Sequence, residues 1–240
     1  MKKDPDYIKN LQSLPENLRR AWLEGDWNAL AGQYFSEFRT DRHVIKPFCI
    51  PSEYRRYFVM DYGLDKLAGY WAAFDTNGTC YIYREIYESN LIVSAAAAKI
   101  LNLGMFDKVK EYFAPQDIWG TNAETGNSQA DIFNQNGVPL TKVITNSRES
   151  GWAIIHEWLN SDKLKIFDTC INLIRCFPQV LHDDRNVNDV AKEPHELTHS
   201  LDAIRYLACA KQDFKPKEEK PVFRPRNIAI PKNFWNNKYW

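Results

Sequence analysis

Three aspartates stand where carboxylates could be turned toward a common point. Asp61 ends the apolar run Tyr57–Met60 and is followed by Tyr62 and Gly63, so it falls at the C-terminal edge of an expected strand with open space beside it. Asp117 lies just past a second expected strand, in the stretch APQDIW, where Pro115 ends strand pairing. Asp202 lies in THSLDAIRY, three residues after His199, which puts the two on one helix face, and Arg205 continues that face to orient a carboxylate or contact a phosphate. Carboxylate oxygens suit hard cations such as Mg²⁺ or Mn²⁺. Two such ions about 4 Å apart can stabilise the attacking and leaving oxygens in phosphate ester hydrolysis. Asp65 could add an outer ligand or stand as a loop charge, and Asp183, Asp184 and Asp189 could add one ligand or form a solvated acidic loop. Two of the acids also have a local reading without chemistry, a turn residue for Asp61 and a helix N-cap for Asp117.

The elements that must position these acids follow from pattern. RRYFVMDYG, LAGYWAAFD and TCYIYREIYES read as strands, the second and third joined by the turn residues Asp75-Thr76-Asn77-Gly78, which gives an antiparallel meander. LIVSAAAAKILNLG has helical spacing and ends at Gly104. KVKEYFAP is a strand, residues 128–136 a helix closed by Gly137, VPLTKVIT a strand, GWAIIHEWLN a helix, KLKIFDT a short strand and CINLIRCF a helix. ELTHSLDAIRYLACAK closes the series as a helix, with Leu197, Leu201, Ile204 and Leu207 on one side. Strands in a meander, a helix, a further strand and then alternating helices and strands are the order of an α/β RNase H-like domain. Such a domain is a mixed sheet, part antiparallel meander and part parallel strands, flanked by helices. The expected division is a lead-in segment over 1–50, this domain over 51–211, and a Pro-rich tail over 212–240 carrying seven basic and three acidic side chains.

Composition excludes several classes. With 31 basic and 31 acidic side chains there is no global field to attract a polyanion, so any DNA contact must come from local segregation of charge. Five cysteines with no CxxC pair fit reduced thiols rather than a disulfide framework or structural zinc. No run approaches the roughly 20 apolar residues of a membrane span.

The stretches EGDWNALAGQYFSEF, HVIKPFCIP, MDYGLDKLAGYW, YREIYES, APQDIWGTNAETG, IFDTCINLI and KEPHELTHSLDAIRY, in this order, closely resemble the nuclease half of phage large terminase subunits, from about Tyr7 to about Ala210. The resemblance implies an RNase H-like endonuclease that uses two divalent metals to cut concatemeric double-stranded DNA during genome packaging in the host cytoplasm. It implies Asp61 as first-strand ligand, Asp117 as second acid and Asp202 as the acid of the last helix, with Asp65 and His199 as further metal ligands. It also suggests that Arg148 and Arg205 face DNA. The implied partners are the packaging ATPase domain, the portal protein and the small terminase subunit. No GxxxxGK[ST] phosphate loop occurs in the sequence, so ATP hydrolysis is not expected of this chain, which reads as an excised domain or a split gene product. Three rivals stand beside this reading: another RNase H-like enzyme such as a resolvase, a non-catalytic docking module of the packaging motor, and a glycosidase with paired carboxylates.

Overall fold

The computed structural model describes residues 32–211, apart from 64, 122–125 and 146. The EGDW stretch and the basic tail therefore lie outside the described residues. The elements are α1 (Thr40–His43), β1 (Val44–Ile45), β2 (Arg55–Tyr62), β3 (Leu67–Phe74), β4 (Cys80–Glu88), α2 (Val93–Leu103), β5 (Val109–Pro115), a 3₁₀ turn (Gln116–Trp119), α3 (Gln129–Gln135), β6 (Leu140–Val143), α4 (Arg148–Asn160), β7 (Leu164–Phe167), α5 (Ile171–Cys176) and α6 (His195–Lys211).

The strands form one seven-stranded sheet in the order β1-β7-β4-β3-β2-β5-β6. β2, β3 and β4 pair antiparallel, while β5 and β6 on one side and β7 and β1 on the other add in parallel. This is the mixed sheet expected from the order of patterns. The central strand β3 is buried at every position, which is why LAGYWAAF reads as a continuous apolar run instead of an alternating one. The β3–β4 turn is held by Asp75, whose Oδ1 accepts from the backbone N–H groups of Asn77 and Thr79 at 2.8 Å each, and Gly78 takes the positive φ the turn demands. At α3, Ser128 and Asp131 form a capping box that satisfies the free N–H groups of the first turn.

Alternation along β2 decides which helix meets which acid. Phe58 and Tyr62 point to one face, where they meet Trp71 and the α3 residue Phe133. Tyr57 points to the other, where Lys211 of α6 lies 4.1 Å from its ring and 4.6 Å from that of Phe113. Asp61 shares the parity of Tyr57 and so faces α6. That helix packs between the sheet and helices α4 and α5, and its buried residues are distributed around the whole helix, from Leu197 to Ala208.

The stretch read as lead-in is not all peripheral. From Tyr34 onward it contributes Tyr34, Phe35 and Phe38 to the core, against Trp152 and Phe177, and β1 to the sheet edge beside β7. Two residues of strand leave no alternation to read, and the three aromatic anchors have no regular period.

Candidate active site

β2 and β5 run parallel, with Val59 opposite Phe113, so both strands end at the same edge of the sheet. Asp61 lies two residues beyond Val59, and Asp117 sits in the 3₁₀ turn immediately after β5. α6 crosses this edge and brings His199 and Asp202 to it. Nδ1 of His199 lies 2.6 Å from Oδ2 of Asp61, and its Nε2 lies 3.4 Å from Oδ2 of Asp65. Asp61 is half-buried, Asp117 is exposed, and Asp202 sits beneath the surface with a side chain 14% exposed.

Electrostatics ties the three acids together. Burial raises the pKa of the Asp61 carboxyl above the usual carboxylate range, and the charges of Asp202 and Asp117 push the same way, against the hydrogen bond from His199. Tyr206, one turn beyond Asp202, is likewise pushed up, first by burial and then by Asp61, Asp202 and Asp117. The charges of Asp117 and Asp202 thus both reach Asp61. The pKa of His199 is raised as well, which for an imidazole favours the charged form: burial disfavours that form, but the hydrogen bond and charge of Asp61, with Asp65, outweigh burial.

Asp202 is held by two guanidinium groups. Its Oδ1 accepts from Nε of Arg205 at 2.8 Å and lies 2.7 Å from Nη2 of the same guanidinium, and its Oδ2 accepts from Nη2 of Arg148 at 3.1 Å. Arg148 also reaches Asp189 at 3.4 Å, and Asp189 in turn accepts from Nε1 of Trp152 at 2.7 Å. Both guanidiniums lie near the Trp152 ring, 5.4 and 5.2 Å from its centroid.

No family model matches the sequence, and no curated protein gives a significant match. Solved structures do match. The chain superposes on the nuclease domain of the P22 large terminase with a TM-score of 0.64 at 19% identity, covering 76% of this chain and 93% of that one. The fold is that of large terminase nuclease domains. The large terminase of the thermophilic bacteriophage D6E matches with a TM-score of 0.61 at 18% identity over 74% of this chain and 45% of that one, so the chain spans about half the D6E protein's length. The nuclease from the thermophilic phage G20c, solved with bound magnesium, matches with a TM-score of 0.53 at 13% identity over 74% of this chain and 98% of that one. A further G20c structure was solved with bound cobalt.

Within this terminase-nuclease fold the candidate residues divide in two. Asp61, Asp65, Asp117, His199 and Asp202 share the sheet edge. Arg205 does not face outward: its side chain is 4% exposed and its charge is engaged by Asp202, so it orients that carboxylate. Arg148, at 27% exposure, keeps a surface from which a phosphate could be met. Of the acidic loop, Asp189 braces Arg148 and Trp152, while Asp183 accepts from the backbone N–H groups of Arg185 and Asn186 in a local turn. His195, which the sequence reading passed over, joins Asp65 and His199. Among the described residues these three form the group whose ligand atoms all lie within 4.8 Å of one another. Its signal was the spacing in HELTH, which stacks two imidazoles one helical turn apart.

The Arg205 brace depends on close approach of α4 to α6. A Cβ on Gly151 would lie 2.4 Å from Cγ of Arg205 and 2.9 Å from Sγ of Cys209. Arg205 cannot yield without leaving Asp202. Gly151→Ala should therefore lose about 1–3 kcal/mol to overpacking, despite the roughly 1 kcal/mol that alanine gains over glycine within a helix. A denaturant midpoint at or above wild type would show that the contact is slack.

Proposed function

We propose that this chain is a metal-dependent endonuclease of a phage DNA-packaging motor, cutting double-stranded DNA by phosphodiester hydrolysis. The observation that carries the reading is the convergence of Asp61, Asp117 and Asp202 at one sheet edge, where the charges of the other two raise the pKa of Asp61. The donor set fits hard divalent cations, because like-charged oxygens that repel one another are relieved by a shared cation. Asp61, Asp117 and Asp202 would hold Mg²⁺ or Mn²⁺, two ions in the full arrangement, with Asp65 and His199 beside them. Bound there, the ions supply charge stabilisation on the phosphate and lower the pKa of the attacking water.

The chain's own residues then have distinct tasks. Asp117 is exposed, so an ion it held would be open to the phosphate. Arg205 fixes the orientation of Asp202, and His199 fixes that of Asp61. Arg148, which contacts Asp202 and is 27% exposed, has surface to spare for a phosphate oxygen, a contact that positions DNA without reading sequence. The likeness to large terminases supports an ATPase domain, portal protein and small subunit as partners and the host cytoplasm as the place of action.

The test is supercoiled plasmid incubated with the chain in Mn²⁺, Mg²⁺ or EDTA, beside Asp117→Asn. Nicking is expected with metal, none in EDTA, and a loss of at least about 100-fold in the variant, more than an outer-shell partner costs, with an unchanged melting temperature because Asp117 is exposed. Nicking that survives EDTA or the substitution overturns the reading. The double guanidinium engagement of Asp202 favours a second reading, a docking module with vestigial acids. That reading predicts no Mn²⁺ binding that depends on Asp61 or Asp117.

A further inference from the structure

The cluster of Asp65, His195 and His199 differs in chemistry from the all-oxygen set beside it. His195 and His199 lie at i and i+4 on the first turns of α6, their rings 4.3 Å apart edge to face. Oδ2 of Asp65 lies 3.5 Å from Nδ1 of His195 and 3.4 Å from Nε2 of His199. The Asp65 carboxylate is presented by the turn between β2 and β3, closed by the hydrogen bond from Gly63 N–H to the Lys66 carbonyl at 2.8 Å. A Cβ on Gly63 would lie 2.5 Å from Oδ1 of Asp65, so a side chain there would turn the exposed carboxylate away from its present position.

A second observation points to a ligand. His199 turns Nε2 into the cluster while Nδ1 meets the Asp61 carboxylate at 2.6 Å. A histidine that ligates a metal commonly donates its other ring N–H to a carboxylate, which fixes tautomer and ring orientation. The ring is thus already held as such a ligand would be. His195 and Asp65 are 62% and 63% exposed, which leaves an entry path from solvent.

We propose that Asp65, His195 and His199 form a binding site for a borderline transition-metal cation of the Zn²⁺ class, distinct from the hard-cation site at Asp61, Asp117 and Asp202. Two imidazoles and one carboxylate are a donor set that suits Zn²⁺ and leaves a fourth position open. The ion clips the β2–β3 turn to the start of α6 and, through His199, holds Asp61. Binding itself is independent of the nuclease reading; only its consequence for Asp61 rests on that reading.

The experiment is equilibrium dialysis of the full chain against Zn²⁺ with Mg²⁺ in large excess, together with thermal melting with and without Zn²⁺. Wild type and Asp117→Asn should each bind Zn²⁺ and melt higher in its presence. His195→Ala should lose both effects while melting like wild type without Zn²⁺, since its side chain is exposed. Asp61→Asn should bind roughly 10- to 100-fold more weakly. Zn²⁺ binding unchanged in His195→Ala, or absent from wild type, overturns the proposal. Zn²⁺ binding that needs His195 in a protein that nicks no DNA leaves this site standing and removes the nuclease reading alone.

Discussion

Asp61→Asn is expected to bring metal-dependent nicking of supercoiled DNA to background while the metal-free protein melts no lower than wild type. The loss should exceed the roughly 10- to 100-fold cost of removing an outer partner of a metal site, because the charges of both Asp202 and Asp117 act on Asp61. Stability should move the other way. The carboxyl pKa is raised on folding from its ordinary 3.8, so its favourable contribution belongs to the protonated form and is lost as pH rises through the folded value. His199 adds to the same slope. Its pKa is raised from 6.5, so what it contributes is full below that value and lost as pH rises through the folded one. Asparagine has the shape of aspartate without the charge, and its Oδ1 can still accept from His199. In EDTA, the wild type should therefore fall progressively below the variant in melting temperature as pH rises from acid to neutral. Mn²⁺ should reverse the order by stabilising only the protein that binds it. Nicking retained in the variant would remove Asp61 from the site.

The acids and the elements that carry them were legible because each depends on local pattern. The apolar run Tyr57–Met60 of β2 stops at Asp61, Pro115 stops β5 short of Asp117, and the i, i+3 spacing of His199 and Asp202 needs only a helix. What was not legible depends on distance. Asp189 reads as part of a polar loop, and its role appears only when folding brings it to Trp152, 37 positions earlier, and to Arg148, 41 earlier. Arg205 looked able to face DNA because a helical period gives a face but not what covers it; α4 covers it, through Gly151. His195 was hidden differently. Its spacing to His199 was in plain view, but Asp65, which makes the pair a cluster, lies 130 residues away in the β2–β3 turn, a separation that no local pattern spans.

Arg205→Met should be among the most destabilising single changes at this site, by about 3–5 kcal/mol, read as a shift in denaturant midpoint at constant slope. Methionine replaces the aliphatic stem and fills much of the space against Trp152 and Tyr206, so packing is largely kept and the change isolates the charge. What is lost is the Nε hydrogen bond and the guanidinium charge on Oδ1 of Asp202, leaving a carboxylate 14% exposed with Arg148 as its remaining cation. Arg148 already reaches both oxygens, at 3.5 and 3.1 Å, but these are long contacts from a guanidinium that is shared with Asp189, so it replaces the lost charge only in part. Arg205→Lys should recover only part of the loss, since a single ammonium cannot reproduce the Nε and Nη2 contacts while lying against the Trp152 ring. Replacing Asp202 and Arg205 together, as Asp202→Asn with Arg205→Met, separates the two roles of the pair. Stability should recover toward wild type once no buried charge is left alone, and nicking should not. If Arg205→Met alone stays within about 0.5 kcal/mol of wild type, the range of an ordinary surface change, then Arg148 suffices to hold Asp202 and the brace is not what orients the third acid.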